Sequence, residues 1–157
     1  GRIQHVVFQT TQLDGIVDFY ADKVGFVISD RVVGDNGKLA VCFLRTDDEH
    51  HSRAFFAGSQ NEDDHFCFET SCWNDIRDWG DRFARAHIPI FFGPGRHGPG
   101  NNLFFMVNDI DGNRLEFSAE IETVCVRTVA RRGGSPRTTV FTASRAVTGS
   151  GAITIPR

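Results

Sequence analysis

The sequence predicts an α+β domain built from two tandem βαβββ units joined into one pseudo-symmetric fold. Three observations carry this. First, the 157-residue chain repeats itself at an offset of 60 residues. His5-Val6-Val7-Phe8-Gln9-Thr10 reads against His65-Phe66-Cys67-Phe68-Glu69-Thr70, and Ile16, Asp18 and Phe19 fall opposite Ile76, Asp78 and Trp79. A fixed self-similarity of this length marks one supersecondary unit used twice, and two copies are too few for a solenoid. Second, each copy opens with an apolar strand and continues into apolar residues at helical spacing. Third, a histidine stands at the head of both copies, so the two rings face each other across the axis of the repeat. That is one way to build a central metal site.

The elements follow in order. Residues 3–9 form a strand rich in Val and Phe, and Leu13, Ile16, Val17, Tyr20 and Val24 then recur at helical spacing. Strands are expected at 26–33, 39–46 and 51–57, the first two joined by a tight Asp35-Asn36-Gly37 turn. The second unit repeats the plan with a strand at 64–69. Its helix carries Ile76, Trp79, Phe83 and Ala86 and ends before Pro89, which a helix interior does not accept. Strands at 88–92, 103–108 and 114–119 complete it, with a glycine-rich loop at 93–102 and an Asp111-Gly112 turn. Thr11 and Ser71 are the expected helix caps. Helices on one side of curved, largely antiparallel sheets are the expected architecture.

Composition narrows the function. The net charge of −3 divides unevenly: residues 121–157 carry six arginines against Glu122, which is +5, leaving −8 on residues 1–120. An acidic body argues against nucleic acid as the main partner. The four cysteines include no Cys-x-x-Cys pair and are too sparse for a disulfide scaffold, and Cys42 and Cys67 read as small hydrophobes within strands. Neither a signal peptide nor an apolar run near 18 residues is visible, which leads to the expectation of a soluble, cytoplasmic domain. Gly1-Arg2, directly before a strand, reads as an expression scar or as the cut edge of a longer chain.

A lone histidine in a strand is more often structural than a ligand. The repeat changes this for His5 and His65, because equivalent strand positions lie close to the pseudo-two-fold axis. Glu116, in Arg114-Leu115-Glu116-Phe117, is a carboxylate among apolar residues on the last strand, where burial without a partner is costly and a metal would neutralise it. Two histidines and one carboxylate with open remaining positions make the facial triad of non-haem Fe(II) oxygenases. Aligning Arg53-Ala54-Phe55-Phe56 with Arg114-Leu115-Glu116-Phe117 places Phe55 opposite Glu116, so no symmetric fourth ligand is expected. His50 and His51 in an acidic turn, and His97 in a Gly/Pro loop, read as solvated surface when taken singly. His87 reads as a turn residue at the end of a helix, favoured by its dipole.

With these residues in place, residues 3–120 resemble the catalytic domain of type I extradiol ring-cleavage dioxygenases. These belong to the vicinal oxygen chelate, or glyoxalase/bleomycin-resistance, superfamily. The most specific stretches are Phe92-Gly93-Pro94-Gly95-Arg96-His97-Gly98 and Asn108-Asp109-Ile110-Asp111-Gly112-Asn113-Arg114-Leu115-Glu116. The resemblance implies a vicinal oxygen chelate domain over residues 1–120, in units of about 3–58 and 64–120. Residues 121–157 remain as a basic Thr/Arg/Gly/Ser-rich appendage that it does not reach. It implies Fe(II), sometimes Mn(II), held by His5, His65 and Glu116. His51 matches the family's acid–base histidine and His97 its substrate-contacting one. Met106 stands where the family commonly has a tyrosine touching the catecholic oxygen, and a thioether cannot donate that hydrogen bond.

The implied reaction is opening of a catechol ring beside its two hydroxyls, with both atoms of dioxygen incorporated. The expected partners are a small aromatic diol, dioxygen and further copies of the chain, with no nucleic acid and no membrane. Many members carry a second, non-catalytic copy of the domain ahead of the catalytic one, so the sequence reads as a single-domain member or a piece of a two-domain enzyme. The rival readings are a glyoxalase-type isomerase, a thiol transferase acting on an antibiotic, and a metal-free binding module.

Overall fold

The computed structural model describes residues 1–124. Residues 125–157, nearly all of the basic appendage, lie outside the described residues. The order of elements is β1 (Ile3–Thr10), α1 (Leu13–Asp18), β2 (Val27–Val33), β3 (Leu39–Arg45), β4 (Arg53–Ala57), β5 (Glu62–Glu69), α2 (Trp73–Arg85), β6 (Ile90–Arg96), β7 (Leu103–Asn108) and β8 (Arg114–Ala119). A π-helical segment, Phe19–Val24, continues α1 and stops at Gly25, whose φ of 92° is left-handed.

The eight strands form a single sheet in the order β2-β3-β4-β1-β5-β8-β7-β6. Within each unit the first strand pairs parallel with the last, β1 with β4 and β5 with β8. The other pairs are antiparallel. At the junction of the units, Val6 pairs with Phe66, its own equivalent in the repeat, so the pseudo-two-fold axis passes between them. His5 pairs with Cys67 and Val7 with His65, which puts both histidines one residue from the axis on the same face.

Each helix covers one half of the opposite face. Against α1, Leu13 and Val17 pack on Cys42, Leu44 and Phe55. Against α2, Ile76 packs with Leu103, Phe105, Val107 and Phe117, and Trp79 and Phe83 join them. These residues alternate along their strands with Phe104, Met106, Glu116 and Ser118, which therefore face away from the helices.

Several expectations need correction. Neither Thr11 nor Ser71 caps a helix: Gln12 and Cys72 hold the N-cap positions without a side-chain bond. The Thr10 hydroxyl accepts from the Gln12 amide, and Asp75 reaches back to accept from the Ser71 amide. The glycine-rich loop is shorter than its composition suggests, because Gly93 to Arg96 belong to β6 and only 97–102 connect the strands. His51 precedes β4 and is not part of it. Finally, Phe55 is not the counterpart of Glu116. Val7 pairs with Ala54 where Cys67 pairs with Glu116, while Phe8 and Phe68 pair with Phe55 and Phe117. Ala54, fully buried, thus stands where a fourth ligand would be.

Candidate metal centre

One row crosses the sheet from β7 to β1: Met106, Glu116, Cys67 and His5 are successive register partners. All four are buried, with Glu116 wholly inaccessible. His65 lies two residues along β5 from Cys67 on the same face. Its Nε2 is 3.1 Å from Glu116 Oε2, and His5 Nε2 is 3.8 Å from the same oxygen. Yet that oxygen, with no solvent access, accepts no hydrogen bond. A buried carboxylate oxygen facing two imidazole nitrogens without a bond to either is what a cation would satisfy. Two histidines and a carboxylate suit a first-row divalent metal.

Burial opposes charge on Glu116, but the imidazoles of His5, His65 and His97 overcome it and hold the carboxyl well below its ordinary range. Burial would also lower His65. Its hydrogen bond to Asp64 and its closeness to Glu116 win instead, and it is pushed up to about 9. His5 goes the other way, lowered by burial against Glu116. Its Nδ1 is buried without a partner.

The structure places the remaining candidates around this cluster. The His51 ring lies 4.3 Å from that of His5, with Phe43 at 5.0 Å. His50 is buried like His51, though less deeply, and their Nδ1 atoms are 3.0 Å apart, so His50 is not solvated surface. The His97 ring stacks on Phe104 at 3.7 Å and sets Nε2 3.6 Å from Glu116 Oε1. Residues 121–123 tie the 46–52 segment to the loop after β6. The His50 amide donates to Glu122, and the Glu122 amide donates to Gly100. Gly100 has a left-handed φ of 76°, and a Cβ there would press on the His50 and His51 rings at 3.2 Å, so a side chain at this position is strained. Met106 belongs to neither hydrophobic cluster and lies on the histidine face.

Three residues at the site escaped the sequence reading. Cys67 is not merely filling space: it offers a sulfur atom to a group with His5 and Glu116 whose donor atoms lie within 4.8 Å of one another. Burial and Glu116 push its thiol well above the usual range, so it stays protonated. The signal was available, since Cys67 is two residues from His65 along a strand. Asn102 donates to Glu116 Oε1 at 3.3 Å and to Ser118 Oγ at 2.8 Å. Asp64 bonds His65 Nδ1 at 2.6 Å. None of the histidines lines a separate cavity of about 970 Å³ bounded by Phe68, Trp79, Phe117 and Thr123.

These shifts predict how the metal-free protein responds to pH. His5, His50 and His51 are all lowered by burial. Below an ordinary histidine pKa of about 6.5, the unfolded chain therefore takes up protons that the folded chain does not, and stability falls on acidification. His65 is raised, so its contribution is complete below that value and is lost as the pH rises towards about 9. Urea midpoints measured without metal should peak near neutrality and fall on both sides. A flat profile from pH 5 to 9 would contradict these assignments.

A paired βαβββ sheet with histidines and a carboxylate gathered at its junction defines a recognisable class of domain. The chain belongs to the glyoxalase/bleomycin resistance protein/dioxygenase superfamily, whose pattern matches residues 2–117. Among characterised relatives, it is 29% identical over 123 residues to metapyrocatechase 2 of Cupriavidus necator, covering 78% of this chain and 38% of the relative. It is 30% identical over 133 residues to biphenyl-2,3-diol 1,2-dioxygenase 3 of Rhodococcus globerulus, covering 76% and 63%. The chain thus spans less than two thirds of the length of either. Among solved structures, a Mn(II)-bound glyoxalase from Novosphingobium aromaticivorans superposes with a TM-score of 0.72 at 32% identity, over 78% of this chain and 39% of that one. Among the described residues, no helix is long and apolar enough to cross a membrane.

Proposed function

We propose that residues 1–120 form the catalytic domain of an extradiol dioxygenase that opens a catechol ring, with His5, His65 and Glu116 holding Fe(II) or Mn(II). The observation that carries this reading is the buried Glu116 Oε2, without a hydrogen bond, between His5 and His65, with Ala54 in place of a ligand at the position symmetric to Glu116. Similarity to a metapyrocatechase and to a biphenyl-2,3-diol dioxygenase supports it. A divalent ion at these side chains would supply positive charge that favours the catecholate, and open positions for catechol and dioxygen.

The rest is done by the chain. His51, neutral and buried, donates Nδ1–H to His50 Nδ1 in this reading, which leaves Nε2 free to take a catechol hydroxyl proton and to return it as the ring opens. His97, held flat against Phe104, donates a hydrogen bond to developing negative charge. Backbone bonds through Glu122 hold the 46–52 segment, which carries His50 and His51, to Gly100.

The test is oxygen uptake by protein loaded anaerobically with Fe(II) or Mn(II) and offered a panel of catechols. Uptake that depends on both metal and catechol is expected. Similarity to a Mn(II)-bound glyoxalase favours a second reading, a glyoxalase-type isomerase. Isomerisation of a thiol adduct without oxygen uptake would establish that reading instead.

Met106 gives a finer prediction. It lies beside Glu116 in the sheet, where a tyrosine hydroxyl could reach the substrate oxygen. Met106→Tyr should raise the rate on a small catechol by roughly tenfold, the equivalent of about 1–2 kcal/mol for one good hydrogen bond. An unchanged rate on both a small and a bicyclic catechol would place Met106 away from the chemistry.

A further inference from the structure

The two repeat-equivalent histidines are not equivalent in their surroundings. β1 and β5 each carry a bulge at the same place in the repeat. Val7 and Phe8 face His65 and Asp63, so Asp64 is the extra residue on β5. Phe68 and Cys67 face Ile3 and His5, so Gln4 is the extra residue on β1. A bulge lets neighbouring side chains, which otherwise point to opposite faces, turn towards one side.

In the second unit the bulge delivers a carboxylate. Asp64 Oδ1 lies 2.6 Å from His65 Nδ1. Its other oxygen accepts from Arg114 Nη1 at 3.0 Å and from Gln9 Nε2 at 3.3 Å, so the carboxylate is itself fixed on both sides. In the first unit the same position is Gln4, whose Oε1 accepts from Cys67 Sγ at 3.8 Å instead. His5 Nδ1 is left without a partner.

We infer that Asp64 is the positioning residue of the metal centre, holding His65 with Nε2 directed at Glu116 and thereby setting the affinity of the site for a divalent cation. This rests on the metal reading proposed above. A carboxylate on the far nitrogen fixes both the rotation and the tautomer of a ligating imidazole and raises its basicity. His5 has no such support, so most of the preorganisation falls on one ligand.

Calorimetric titration of the metal-free protein with Mn(II) tests this independently of turnover. Asp64→Ala should weaken binding by roughly 10–100-fold, the usual cost of removing such a partner. Asp64→Asn keeps a hydrogen-bond acceptor and should recover a large part of that loss, which a purely structural role would not produce. With Zn(II) as a diamagnetic probe, the His65 Nδ1–H resonance should be sharp and far downfield in the parent protein and lost in Asp64→Ala. Wild-type Mn(II) affinity in Asp64→Ala, alongside loss of binding in His65→Ala, would overturn the role of Asp64 and leave the metal reading intact. Undiminished Mn(II) binding in His65→Ala would instead overturn the metal reading, and the role of Asp64 with it.

Discussion

Glu116→Gln is expected to remove metal binding while leaving the protein folded. The amide keeps the volume of the side chain and an acceptor for the Asn102 contact, which is 3.3 Å in the parent protein, so packing changes little. What is lost is the one negative charge between His5 and His65. Mn(II) affinity should fall by more than about 10²-fold, because a site left with two neutral imidazoles no longer offsets the desolvation of a divalent ion. Ring cleavage should drop to background. The metal-free form should lose stability, by up to about 3–5 kcal/mol, because removing one member of a buried pair leaves His65 uncompensated, a cost that deprotonation of His65 relieves as the pH rises. A second consequence is independent of metal. Without the carboxylate beside it, His65 loses part of what pushes it up to about 9, and the fall in stability between neutrality and pH 9 should shrink. Parent-like Mn(II) binding by this variant would sink the proposed site.

Much of the fold is legible in the sequence because it is periodic. The 60-residue repeat, the helical spacing of Ile76, Trp79 and Phe83, and the alternation in β7 and β8 are signals of one dimension, and β7 and β8 begin and end where the spacing places them. Register is harder to read. A loop that differs in length between the units shifts the alignment of the last strands, so Phe55 stood opposite Glu116 in sequence although the backbone puts Ala54 there. Bulges leave no periodic trace at all. Asp64 was invisible for that reason, since strict alternation aims it away from His65. His50 was misplaced on composition: an acidic Asp-Asp-Glu-His-His turn looks solvated until Gly100 and Glu122 are seen to close over it. Gly93 to Arg96 look like loop by residue type, yet they continue β6, with Gly95 and Arg96 pairing with β7 beyond an irregularity at Gly93 and Pro94.

His51→Gln is expected to lower turnover by roughly 10²–10⁴-fold, the usual contribution of one positioned acid–base group, without loss of metal. The reason lies in where the ring sits and in its resting charge. His51 is buried, and burial first, then the neighbouring His5 and His50, hold its pKa well below the ordinary value. It is therefore a neutral acceptor at neutral pH before substrate arrives. A catecholate beside it would stabilise the imidazolium and raise that pKa towards the working range, so proton uptake is coupled to binding. Glutamine matches much of the shape and can hydrogen-bond, but it cannot take up the proton. Because His50 Nδ1 lies 3.0 Å from His51 Nδ1, His50 helps decide which His51 nitrogen is free. His50→Ala should therefore lower turnover too, though by less, roughly tenfold, the effect of one neutral hydrogen bond. The comparison separates the roles: both variants should bind Mn(II) as the parent does, and only His51→Gln should show the large loss. Parent-like turnover in His51→Gln would move the proton transfer to another group, with His97, 3.6 Å from Glu116, the next to test.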